Sequence, residues 1–183
     1  METLFDPNKA TQIMALLLDL NSNEMNYTKA IKLIYIADRD FLKDYKIPIS
    51  FDLYVSMDNG PVLSNIYDLV KGQKKNEYWD KHILKNKYSL ILKQMPQLDL
   101  LTPNEVNKLN EVFFEFKLYD YSDMIQYTHK KFSEWKDPEG TSQSIDFNVL
   151  LEKLGKNKEE IIEIKEDLAY LQTLKNLFAG PIS

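Results

Sequence analysis

The sequence predicts a mostly helical α+β domain: a compact helical body, a small two- or three-stranded antiparallel sheet with a β-hairpin, and a long C-terminal helix. Three observations predict it. Apolar residues recur at helical spacing along most of the chain. Strong helix-start signals, an acceptor side chain followed by proline, stand at Asp6-Pro7 and Thr102-Pro103. Short alternating segments rich in β-formers occur only in the middle, between Phe51 and Leu92.

The elements follow in order. Asp6 caps a first helix with Pro7 at its first position, where the missing N–H costs nothing. Ile13, Leu16, Leu17 and Leu20 form its stripe, and the polar run Asn21–Asn26 ends it. Asn26 caps a second helix to about Tyr45, with Ala30, Ile34, Ala37, Phe41 and Tyr45 on one face. Leu33 and Ile36 widen that stripe, so the helix is expected to be buried on more than one side. Pro48 stops it. Phe51 to Met57 alternates and reads as a strand. Gly60-Pro61 then reads as the start of a helix through Val70, closed by Gly72. His82 to Leu84 and Tyr88 to Leu92 read as a hairpin across Lys85-Asn86-Lys87. Thr102-Pro103-Asn104-Glu105 is a capping box before Val106, Leu109, Val112, Phe113 and Phe116. Ser122 is expected to cap a helix to about Trp135, and Pro138-Glu139-Gly140 to turn the chain. A short helix over Asp146–Leu154 ends at Gly155, and a long one runs from Asn157 to Phe178.

At 183 residues the chain suffices for one domain with a real core. With no cysteine, disulfides, thiolate metal sites and a cysteine nucleophile are excluded. The N-terminal stretch Met1–Asn8 lacks a basic region and does not read as a signal peptide, and the run Ile13–Leu18 is too short to span a bilayer. These features point to a cytoplasmic protein with no membrane role. No glycine-rich phosphate loop and no His-Glu-x-x-His motif exist, and the two histidines, His82 and His129, fall in different elements. The reading is therefore of a non-enzymatic chain with no catalytic residues, no cofactor and no metal.

The net charge is −5, and it is unevenly placed. Residues 1–100 carry 13 basic and 13 acidic side chains, whereas residues 101–183 carry 10 and 15. Seven lysines crowd residues 71–93, a basic patch on an acidic protein that either steers a charged partner or is a solvated face. A helix followed by a lysine-flanked hairpin also resembles a winged helix in outline, so a DNA-binding regulator is an alternative. The acidic total and the single arginine for base readout make nucleic acid an unexpected partner.

Two stretches carry a family resemblance. The first is Lys32-Leu33-Ile34-Tyr35-Ile36-Ala37-Asp38-Arg39, continuing through Pro48-Ile49, Asp52, Tyr54 and Gly60-Pro61-Val62 to Ser64, Tyr67 and Asp68. The second is Leu101-Thr102, Tyr121-Ser122, Thr128-His129 and Trp135. Together, from about Tyr27 to Trp135, they resemble the Panacea (SocA-like) antitoxin domain. The resemblance implies an antitoxin of bacterial or phage origin whose partner is a cognate toxin bound by direct contact, with no cofactor and no catalytic residues. It also allows an adaptor that delivers a toxin to a protease; a homo-oligomer is an expectation apart from the resemblance. Residues 1–155 form the expected domain, with 156–183 a helical extension that is either packed on it or partner-specific.

Each marked residue has a structural and a functional reading. Arg39, the one arginine, suggests a bidentate pair with Asp52 or Asp68 that locks elements together, or else a toxin contact; Asp38 carries the same two readings. Gly60 and Pro61 suit a tight turn or an anion at a helix start. His129 and Trp135 are expected on one helix face beneath the sheet. Ile161, Ile164, Leu168, Leu171 and Phe178 form a heptad-like seam, either core-facing or partner-binding.

Overall fold

The computed structural model describes residues 4–178. Helix α1 (Pro7–Leu20) begins where expected, with the Asp6 carboxylate accepting from the N–H groups of Asn8 and Lys9. The polar run after it does more than end a helix. It turns through Ser22 and Asn23, both at positive φ, into a short strand β1 (Glu24–Asn26). Asn26 then caps α2 (Tyr27–Tyr45) through Thr28 N–H and Lys29 N–H.

The expected helix start at Gly60-Pro61 is corrected. Strand β2 (Tyr54–Met57) turns at Asp58-Asn59 into an antiparallel strand β3 (Gly60–Leu63), and helix α3 (Ser64–Lys71) begins only at Ser64. Proline is tolerated in β3 because β3 lies at the edge of its sheet, where a missing N–H breaks no ladder bond. Gly72 closes α3 in the left-handed region, as read. A six-residue helix α4 (Glu77–His82), capped by Asn76, has too few turns to show a period and was not expected. Strands β4 (Ile83–Asn86) and β5 (Ser89–Leu92) form the anticipated hairpin.

Helix α5 (Pro103–Glu115) carries the expected capping box of Thr102 and Glu105. The next helix, α6 (Tyr121–Lys131), is capped by Asp120 rather than Ser122, because Asp120 and Asp123 make their own reciprocal box. It also stops at Lys131, so Trp135 lies beyond it, after a turn in which its N–H donates to the Phe132 carbonyl at 3.1 Å. Strand β6 (Gln143–Ser144), helix α7 (Phe147–Lys153) with its Asp146 cap, and helix α8 (Lys158–Phe178) complete the chain.

Among the described residues six strands make two small antiparallel sheets, ordered β1-β5-β4 and β3-β2-β6, where a single sheet was expected. The extra strands β1 and β6 span only three and two residues, and only their partners reveal them. Helix α2 is the central post: it packs on α1, α5, α6 and β3, which is why its apolar residues spread around most of its circumference. The N-terminal half of α8 joins the same core through Ile161, Ile164 and Leu168. Its far end does not, with Leu177 and Phe178 71% and 85% exposed.

Candidate functional site

The residues singled out in the sequence converge on the inner face of α2. Lys32, Tyr35, Asp38 and Arg39 are spaced three, three and one apart, which stacks them along one side of the helix. Lys32, Tyr35 and Asp38 are at most 1% exposed, so each polar tip needs a partner inside the protein.

Asp38 ties α2 to the segment after Pro48. Its carboxylate accepts from the Ser50 N–H at 2.6 Å and from the Tyr54 hydroxyl. Burial nevertheless pushes its carboxyl up to about 6, with these bonds pulling the other way. Asp52 performs a different task. Its two oxygens accept from the N–H groups of Leu53, Asn65 and Ile66 and from the Asn65 side-chain amide, at 2.6–2.9 Å. A carboxylate thus sits on the free N–H groups at the start of α3 and favours its dipole. No side chain at the N-cap position Leu63 does this, so Asp52 caps the helix from a distance.

Arg39 pairs with neither Asp52 nor Asp68, and the expected partner is corrected to Glu134. Its Nε donates to Glu134 Oε1 at 2.6 Å and its Nη2 lies 3.4 Å from Oε2. The guanidinium stacks 4.5 Å from the Phe132 ring centroid, and the Tyr35 hydroxyl donates to the same Glu134 oxygen at 3.2 Å. Asp52 is spent on α3, and Asp68 lies near the far end of that helix, half-buried. Glu134 went unnoticed because an acid just past α6 gives no sign of burial; only the folded chain brings it to 3% exposure.

The pair anchors the strand of chain that follows α6, and this brings Trp135 under the β2–β3 hairpin. Its indole N–H donates to the Met57 carbonyl at 2.9 Å, and the ring stacks on His129 with centroids 4.0 Å apart. The two aromatics do pack against that sheet, but from a helix and the segment after it rather than from one helix face. His129 Nε2 is buried with no hydrogen-bond partner among the described residues, and burial together with the nearby Lys32 charge lowers its pKa.

Gly60 lies where these parts meet. Its φ of 94° belongs to the left-handed region, and a Cβ there would fall 2.8 Å from Thr128 Oγ1, 2.9 Å from Lys32 Nζ and 3.0 Å from His129 Cδ2. Pro61 presents its carbonyl to Lys32 Nζ at 2.7 Å. Burial pushes the Lys32 ammonium down to about 7. Beside it opens a cavity of about 230 Å³ lined by Lys32, Tyr27, Tyr67 and Lys71 among others. Ser64 opens α3 at half-burial, its N–H donating to the Leu53 carbonyl at 2.9 Å. Leu171 and Phe178 on α8 lie away from this cluster, Leu171 half-buried beside Tyr45 and Ile47.

The chemistry of the cluster is that of a frame: carboxylates cap helix and loop N–H groups, and the cations bridge elements. Among the described residues no group of three or more His, Cys, Asp or Glu side chains could hold a metal ion. Nor is any described helix long and apolar enough to cross a membrane. Large exposed apolar side chains gather instead at the corner between α5 and α6, where Phe114, Leu118, Tyr119 and Tyr121 are 58%, 93%, 39% and 51% exposed.

The family model for the antitoxin SocA-like Panacea domain matches residues 31–136. No curated protein and no solved structure matches the chain. The matched span begins in α2 and ends one residue past Trp135, so it encloses Lys32, Asp38, Arg39, Asp52, Gly60 and Glu134 with all their mutual contacts. On a match over more than half its length, the chain belongs to the SocA-like Panacea antitoxin family.

Proposed function

We propose that the protein is the antitoxin of a bacterial or phage toxin–antitoxin pair, acting in the cytoplasm by binding its cognate toxin directly and without catalysis. The family match across residues 31–136 carries this reading. Most of the matched region's buried polar residues, Tyr35, Asp38, Asp52 and Glu134 among them, hold α2, α3, the β2–β3 hairpin and the segment after α6 together. The exposed aromatic and aliphatic side chains at the α5–α6 corner supply the kind of surface that protein partners bury, and tyrosine and phenylalanine anchors contribute strongly to such interfaces. The acidic C-terminal portion, with 15 acids against 10 lysines over residues 101–183, complements a basic toxin and speeds encounter with it.

The test is co-expression with the product of the adjacent gene. Growth arrest by that product should be relieved, and the two chains should co-purify as a stable complex. Replacing Leu118 and Tyr121 by serine should weaken the complex while leaving the melting temperature unchanged, since both side chains are more than half exposed. Rescue without any complex would refute direct binding.

A further inference from the structure

The cavity beside Lys32 is not needed to explain the frame, and its lining is chemically lopsided. Two lysines face it, Lys32 and Lys71, and among the described residues neither is in an ion pair. Lys32 is 1% exposed, and the acceptor found for its three N–H donors is the Pro61 carbonyl. A buried ammonium with one neutral acceptor and no counter-charge is a costly arrangement. Lys71 rests over the rings of Tyr27 and Tyr67, with its Nζ 5.0 and 5.4 Å from their centroids. A third lysine, Lys85, has its Nζ 5.3 Å from the Tyr27 ring centroid and adds positive potential nearby. The one acid lining the cavity, Asp58, is engaged with the Gly140 N–H at 3.0 Å.

We propose that this cavity is a carboxylate pocket that receives an acidic side chain of the bound partner. Size argues for a side chain: about 230 Å³ lies below the ~300–1,000 Å³ usual for small-molecule sites. The walls argue for a carboxylate on an aliphatic stem rather than a free phosphate. Ile31, Met57 and Val62 line the same space and suit methylene groups, whereas the lysines and tyrosine hydroxyls offer donors to one charged head. Most of its lining, including Lys32, Val62, Tyr67 and Lys71, lies in the matched family block. That the acid comes from a toxin rests on the antitoxin reading; the pocket's charge preference does not.

The experiment is a nuclear magnetic resonance titration of the full chain with blocked glutamate, N-acetyl-glutamate N-methylamide, beside its glutamine counterpart and inorganic phosphate. The glutamate probe should shift the amide signals of Lys32, Gly60 and Thr141 saturably. The glutamine probe, and the glutamate probe on Lys71→Gln, should bind at least tenfold more weakly. Lys71 is half-exposed at the end of α3, so this variant keeps the fold. Lys32→Met should abolish the shifts, and its unaltered spectrum elsewhere would show that it is folded. Equal binding of the glutamine probe, tighter binding of phosphate, or no saturable shift at these amides overturns the proposal. A toxin complex that forms equally well with Lys71→Gln removes the toxin's acid from the pocket without touching the antitoxin reading. Absence of any toxin complex with the unaltered chain refutes that reading and leaves the titration result standing.

Discussion

Replacing Gly60 by alanine isolates how tightly α2, β3 and α6 are joined. Two costs are expected. An alanine at φ 94° loses about 1–2 kcal/mol for its left-handed backbone alone. Its Cβ would also meet Thr128 Oγ1 at 2.8 Å and Lys32 Nζ at 2.9 Å. Neither neighbour yields cheaply. The threonine hydroxyl is bonded to the Met124 carbonyl at 3.0 Å, and Lys32 holds the Pro61 carbonyl. Losing the charged bond from Lys32 costs about 1.5–3 kcal/mol. The sum is about 2.5–5 kcal/mol, a large share of the ~5–15 kcal/mol that holds a domain together. Gly72→Ala is the control: its φ is 74°, and nothing lies within 4 Å of the added carbon, so it should lose only ~1–2 kcal/mol. Urea denaturation followed by circular dichroism measures both, with unchanged m-values confirming comparable unfolding. If the two glycine variants lose the same free energy, the close approach at Gly60 carries no packing cost and the reasoning is wrong.

Three further expectations follow from the same contacts. Arg39→Lys should destabilise by about 1–3 kcal/mol, since lysine cannot reproduce the second bond to Glu134 or stack flat on Phe132; an unchanged melting temperature with lost toxin binding would make Arg39 an interface residue. The Asp38 carboxyl shifts from its ordinary 3.8 to about 6 in the fold, so between those values the native state keeps a proton the unfolded chain has released. Stability should therefore fall by ~3 kcal/mol as pH rises through that window, and Asp38→Asn should lack this fall; parallel pH profiles for the two proteins would count against it. Truncation after Gly155 removes Ile161, Ile164 and Leu168 from the core, at roughly 1.5–3 kcal/mol each, and should unfold the chain or make it aggregate. A truncated chain that folds cooperatively but no longer neutralises would assign α8 to toxin recognition instead.

The sequence alone determined most of the helices, because their signals are local. A cap three residues from its partner, as at Thr102 and Glu105, or a proline at the first helical turn acts within one or two turns of chain. The wide stripe on α2 likewise announced a helix buried on several sides. The Panacea resemblance was legible for a related reason: its motif residues stand in short local clusters that follow one another in order along the chain. Tertiary structure alone decided what spans distance. Gly60-Pro61 reads as a helix start until β2 pairs with it and places the proline on a sheet edge. Asp52 looks like a strand residue until its carboxylate reaches the N–H groups of Asn65 and Ile66. Arg39 could be matched with any nearby acid until the chain after α6 returned and placed Glu134 beside it, 95 residues away. The physical reason is common to all three. Backbone propensity and capping are properties of neighbours in sequence, whereas the choice among partners for a buried charge depends on which groups share a low-dielectric interior, and the folded chain sets that.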